Sequence, residues 1–157
     1  MLAVEHNGPL MVMRINHGKV NAFDLDLIRA IALQVQDLGT AKGVVITGTD
    51  RIFSAGVDLT RLLENDLDYT RAFVTELDSL VHTLFELPVP VVAALTGHTI
   101  AGGACLLAAA CDYRVMAQGR IGVTELSSAC LCRLRVWRHC VSPPVPARQG
   151  SYCQGGR

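Results

Sequence analysis

Acid is missing from the end of this chain. All fourteen Asp and Glu residues lie at or before Glu125, and residues 127–157 carry five Arg and no acid. The first 126 residues hold nine Lys or Arg against those fourteen acids, so a body of net −5 is balanced by an end of net +5. With no overall excess, there is no electrostatic case for nucleic acid or an anionic membrane as partner. A secretory leader is not expected either. Met1-Leu-Ala-Val runs straight into Glu5, His6 and Asn7 without an apolar core, which points to the cytoplasm and to reduced thiols. Residues 87–111 are long enough to span a bilayer and carry no Asp, Glu, Lys or Arg. Pro88, Pro90, Gly97, Gly102 and Gly103 divide them, however, so they read as a buried strand, a glycine turn and a buried helix. No membrane span is expected.

Nucleotide and hydrolase signatures are absent too. Gly97-x4-Gly102 is followed by Gly103 and Ala104 rather than Lys and Ser/Thr, so it is no phosphate loop. No Gly-x-Gly-x-x-Gly occurs, and Ser54 lacks the Gly-x-Ser-x-Gly elbow.

What is present is globular. Half of the 157 residues are hydrophobic and 18% are charged, enough for one domain that buries roughly two thirds of its unfolded surface. Residues 2–6 and 10–16 flank Asn7-Gly8-Pro9 as a hairpin, with Met11, Met13 and Ile15 alternating. Asp24 opens a helix with Leu25, Ile28, Ile31, Val35 and Leu38 on one face, and Gly39 stops it. Residues 43–47 form a buried strand. Asp66 opens a longer helix with a Tyr69, Phe73, Leu77, Leu80/Val81 and Leu84 stripe, which ends before Pro88. Residues 89–95 are a strand, 101–110 a helix, and 113–117 and 120–123 short strands. This alternation implies a layered α/β domain. It stops near Leu126, giving a domain over 1–126 and an irregular Arg-, Cys- and Pro-rich tail over 127–157.

Two glycine turns lead into helices: Ser54-Ala-Gly-Val-Asp58, and residues 97–103. Amides at such turns lack intrahelical partners and lie at the positive end of a helix dipole, so two turns that converge would hold an anionic oxygen. The plainer alternative is that the glycines only permit tight turns. Glu125, at the end of Ile121-Gly-Val-Thr-Glu, is either an exposed strand-end acid or a pocket carboxylate able to shuttle protons.

A set of ordered motifs carries a resemblance: Lys19-Val-Asn-Ala22, Phe53-Ser-Ala-Gly-Val-Asp-Leu59, Pro88-x-Pro-Val-Val-Ala-Ala-Leu-Thr-Gly97, Ala101-Gly-Gly103, Ala109-Ala-Cys-Asp112 and Ile121-Gly-Val-Thr-Glu125. Residues 1–126 resemble the crotonase superfamily, the enoyl-CoA hydratases and isomerases. The resemblance implies a crotonase-like spiral of ββα units and acyl-CoA substrates. It also implies an oxyanion hole of two backbone amides, here Ala55 and Gly102, with Ala55, Gly56, Val57 and Asp58 lining the CoA-binding turn. Glu125 is the implied acid/base. No cofactor is implied, coenzyme A being part of the substrate. Family hydratases use a second glutamate, and its position is Cys105 here, a thiol read as a buried small hydrophobe. Isomerase chemistry (Δ3,Δ2) with one carboxylate is therefore expected ahead of hydratase chemistry. A non-catalytic acyl-CoA binder or an inactive fragment is the alternative of another class.

The tail matches none of the helices that follow Glu125 in the family. Its composition resembles a GC-rich frame read out of phase, so a truncated or frameshifted member lacking the C-terminal helical part is expected. The family's trimers and hexamers are not expected of it. Uncovered apolar faces are expected on the Asp24 and Asp66 helices and at the strand ends. Cys130, Cys132, His139 and Cys140 are poorly spaced for tetrahedral zinc, and Trp137 among arginines reads as an unstructured basic segment. His82 reads as a surface residue, His98 as part of the glycine turn, and Asp112 with Arg114 as a polar pair.

Overall fold

The computed structural model describes residues 1–124; Glu125 and the tail, with its cysteines, His139 and Trp137, lie outside the described residues. The chain starts as an antiparallel hairpin of β1 (Leu2–Asn7) and β2 (Leu10–Ile15), in a register running from Leu2 opposite Ile15 to Asn7 opposite Leu10. Gly8 turns the hairpin at φ +57°, a conformation that glycine adopts without penalty. Met11, Met13 and Ile15 face inward and are buried, as their alternation requires.

Asp24 caps helix α1 (Leu25–Gln36), its carboxylate accepting from the Leu27 N–H at 2.8 Å. Strand β3 (Gly43–Thr47) follows, then β4 (Ile52–Ser54), α2 (Leu59–Glu64) and α3 (Leu67–Glu86). Strand β5 (Val91–Leu95), β6 (His98–Ile100), α4 (Ala101–Ala110), β7 (Tyr113–Met116) and β8 (Ile121–Gly122) complete the described chain. The order is a spiral of ββα units. The first strand of each later unit joins a five-stranded sheet, β1-β2-β3-β5-β7, and the second joins a three-stranded sheet, β4-β6-β8. Apart from the hairpin, all pairings between strands are parallel. Helices α1 and α3 pack together over the larger sheet and share its core of Ile28, Ile31, Phe73, Leu77 and Leu80.

Four expectations need correction. Residues 98–100, within the second glycine turn, form a strand, as do residues 52–54 leading into the first; each is three residues long, too short to show a period, and they pair with one another. Strand β5 begins at Val91 rather than at residue 89, because Pro90 has no N–H and serves as an acceptor, its carbonyl taking the Val44 N–H at 2.9 Å. Asp112 and Arg114 bond to backbone instead of pairing: Asp112 accepts from the Val91 N–H at 2.8 Å, and Arg114 donates to the Cys111 carbonyl at 2.8 Å. The apolar faces of α1 and α3 are covered, with Leu27, Ile31 and Val81 fully buried. Exposed apolar side chains stand on α2, where Leu59 and Leu63 are 66% and 85% exposed, along β7 at Tyr113 and Val115, and singly on the outer sides of α1 and α3 at Leu33, Leu67 and Phe85. His82 is exposed, as expected. No helix among the described residues is long and apolar enough to cross a membrane.

Candidate active site

The two glycine turns meet. Strands β4 and β6 are parallel neighbours, so the segments that leave their C-terminal ends, residues 55–58 and the first turn of α4, emerge side by side. The contact is close. A Cβ built on Gly56 would lie 2.6 Å from the Ala101 Cβ and 3.1 Å from the Ile100 carbonyl oxygen, so only a glycine lets the turn lie against the helix. Ala101 itself sits at φ +71°, a left-handed conformation that costs a residue with a Cβ about 1–2 kcal/mol. Strain held at the junction of two turns is a mark of a functional segment. Among the described residues no side chain caps α4 from its N-cap position, Ile100, at the positive end of the helix dipole.

The turn is anchored from behind by residues 17–24. Asn21, buried and at φ +51°, donates its side-chain amide to the carbonyls of Ile15 and Phe53, both at 3.1 Å. The Ser54 hydroxyl donates to the Asn21 carbonyl at 2.7 Å and accepts from the Gly56 N–H at 3.0 Å. Phe23 forms a one-residue parallel bridge with Val57: its N–H donates to the Gly56 carbonyl at 2.7 Å, and its carbonyl accepts from the Asp58 N–H at 2.9 Å. The Asp58 side chain then caps α2 through the Arg61 N–H at 3.0 Å.

These bonds decide which amide of the turn can serve a ligand. Ala55, named from sequence as an oxyanion donor, gives its N–H to the Val20 carbonyl at 3.0 Å. In this structure that N–H is spent on the scaffold. The amides of Gly56 and Asp58 are spent as well. Val57 is the exception: among the described residues its N–H has no acceptor, because the bridge to Phe23 uses only the groups on either side of it. Gly102 lies in the first turn of α4, where the sequence placed it.

Cys105 is half-buried rather than buried, one turn further along α4, with its Sγ 3.7 Å from the Thr99 carbonyl. Thr99 is fully buried, and its hydroxyl is the one buried side-chain polar atom without a partner among the described residues. His98 is exposed on β6. Cys111 is a different thiol: burial, ahead of the smaller effects of Arg114 and Asp112, pushes it up to about 12, so it stays neutral and inert. No group of three His, Cys, Asp or Glu among the described residues could hold a metal.

A family model described as enoyl-CoA hydratase/isomerase matches residues 5–127. The chain belongs to the enoyl-CoA hydratase/isomerase family. Its relatives agree. A fatty acid oxidation complex subunit alpha of Idiomarina loihiensis is 35% identical over 115 residues, 69% of this chain and 16% of that protein. The mitochondrial enoyl-CoA delta isomerase 1 of mouse is 33% identical over 131 residues, 78% of this chain and 45% of the relative. Among solved structures, an enoyl-CoA hydratase from Bacillus anthracis superposes with a TM-score of 0.75 at 25% identity, covering 82% of this chain and 52% of that one. The fold is thus that of the crotonase superfamily. The chain spans half or less of the length of these curated relatives.

From the sequence the oxyanion donors are Ala55 and Gly102, Asp24 reads only as a helix cap, and His17, Asn21 and Arg61 are passed over. Asn21 stood within a quoted motif, and a polar residue there was the available signal.

Proposed function

We propose that this member of the family acts on acyl-CoA thioesters and stabilises an enolate between the amides of Val57 and Gly102, with Glu125 as acid/base. The supporting observation is the convergence of the two turns, with the Val57 N–H left over when its neighbours are consumed. A thioester oxygen seated there gains negative charge as the adjacent carbon loses a proton. Each fixed donor is worth roughly 2.7–4 kcal/mol to that transition state.

Isomerisation of a 3-enoyl thioester is the reaction we assign. The Glu125 carboxylate removes a proton from C2 and the electron pair delocalises onto the thioester oxygen. The resulting carboxylic acid returns the proton to C4, moving the double bond to C2–C3. Such proton transfer contributes roughly 10²–10⁴-fold. Cys105 favours this over hydration: a half-buried thiol on the Thr99 carbonyl is a poor base toward water. No metal or redox group is needed. Hydration is the second reading, favoured by the hydratase among the structural neighbours. Supplying a 3-enoyl-CoA and a 2-enoyl-CoA separately distinguishes the two. Appearance of the conjugated 2-enoyl thioester from the first is expected; its disappearance from the second, without activity on the first, would replace isomerase by hydratase chemistry.

A further inference from the structure

We propose that the buried Asp24 carboxylate, clamped between His17 and Arg61, is a positioning residue that holds the Val57 amide against the N-terminus of α4. The inference deepens the functional reading above and rests on it for the role of Val57. An N-cap needs one carboxylate oxygen and usually sits in water. Asp24 is 1% exposed and uses both oxygens. Its Oδ1 accepts from the Leu27 N–H at 2.8 Å, while its Oδ2 lies 2.7 Å from His17 Nε2 and 3.3 Å from Arg61 Nη1. Three elements thus converge on one carboxylate: the loop before α1, α1 itself and α2.

The neighbour of Asp24 is Phe23, whose backbone brackets Val57 on both sides. Arg61 lies on α2, one turn beyond Asp58, the other end of the bracketed segment. The clamp therefore ties the two strands of the bridge together immediately beyond Val57. Apolar packing holds this segment only in part: α2 has no fully buried residue, and Leu62 and Val57 pack against the core partly buried. Arg61 reinforces the contact by reaching Asp26 at 3.2 Å, and the Tyr69 hydroxyl on α3 accepts from the Leu25 N–H at 3.3 Å beside it. On the far side of the turn, Asn21 and Ser54 fix the entry. The exit depends on Asp24 and Arg61.

The test compares the full chain with Arg61→Gln, Arg61→Lys and Asp24→Asn. Arg29→Gln is the control, since it removes an exposed ion pair to Glu76 remote from the turn. Amide hydrogen exchange reads the clamp without reference to activity. In Arg61→Gln and Asp24→Asn the amides of residues 58–64 should exchange about tenfold faster or more while β3 and β5 keep their protection. Steady-state turnover of a 3-enoyl-CoA reads the consequence. A displaced donor should lower kcat by about tenfold or more with KM changed less than threefold, and Arg61→Lys should recover most of the loss. Exchange in both variants matching that of Arg29→Gln would overturn the proposal, as would unchanged kcat in a variant whose turn has loosened. A wild-type chain that turns over no acyl-CoA would sink the functional reading instead, and the exchange comparison alone would then decide whether the clamp exists.

Discussion

Replacing Gly56 by alanine is the sharpest structural perturbation of this site. The new Cβ would meet the Ala101 Cβ at 2.6 Å, whereas carbon atoms in contact prefer about 3.5–4.0 Å. The turn must therefore move off α4 by about 1 Å, and overpacking of that kind costs about 1–3 kcal/mol. A φ of +88° adds about 1–2 kcal/mol once a side chain is present. Together these give a loss of about 2–5 kcal/mol, a large fraction of the roughly 5–15 kcal/mol that stabilises a typical domain. The chemical consequence is larger than the stability alone suggests, because shifting the Val57 amide about 1 Å from the Gly102 amide should lower kcat/KM by roughly 100-fold. Denaturant unfolding, read as a fall in midpoint at unchanged slope, measures the first effect, and steady-state kinetics the second. Gly8→Ala is the control: φ is +57° there and nothing lies within 4 Å, so only the backbone penalty applies. A Gly56→Ala protein no less stable than Gly8→Ala, with wild-type kcat/KM, would refute the claim that the two turns abut.

Three further outcomes follow from the same geometry. Ala101→Gly should relieve the left-handed strain and raise stability by up to about 1 kcal/mol after the entropy of the new glycine is set against it. Combined with Gly56→Ala it should also recover part of that loss, a non-additivity that a double-mutant cycle measures. Thr99→Val removes a buried hydroxyl without a partner among the described residues and should raise the unfolding free energy by about 1 kcal/mol or less, so a clear destabilisation would mean that the hydroxyl is bonded in solution. Asp24 links stability to pH. Burial opposes its charge, but the Leu27 amide, His17 and Arg61 outweigh burial and hold the carboxyl below its ordinary range. The unfolded chain then takes up the proton more readily than the folded one. The contribution is complete above the ordinary aspartate range and is lost as pH falls through the lower native value. Asp24→Asn should accordingly flatten the acid limb of the stability profile below about pH 4, and an unchanged limb would contradict the pairing.

The amino-acid sequence carried the large elements because their signals are local. The Asp24 and Asp66 caps, the i, i+3, i+4 stripe of α3 and the alternation of Met11, Met13 and Ile15 each depend on residues within one element. Strands β4 and β6 were invisible because three residues make no period, and their pairing partners lie 46 and 45 positions apart in the chain, Ile52 with His98 and Ser54 with Thr99. The same reason explains why the open amide of the first turn was not legible. Of four successive amides only that of Gly56 is taken within the turn, by Ser54; those of Ala55 and Asp58 go to Val20 and Phe23, so which one stays unspent depends on how residues 20–24 dock there. The clamp on Asp24 was hidden in the same way, since His17 and Arg61 reach it from opposite sides along the sequence.

The central claim is that the two turns present a thioester enolate to a single carboxylate. Conversion of a 3-enoyl-CoA to its 2-enoyl isomer by the purified chain, with Glu125→Gln beside it, tests this most directly. The account predicts turnover that falls roughly 100-fold or more in Glu125→Gln, while both proteins still bind a saturated CoA thioester, seen as an equal rise in melting temperature. Turnover that survives in Glu125→Gln, or thioester binding with no isomerisation by either protein, would contradict it.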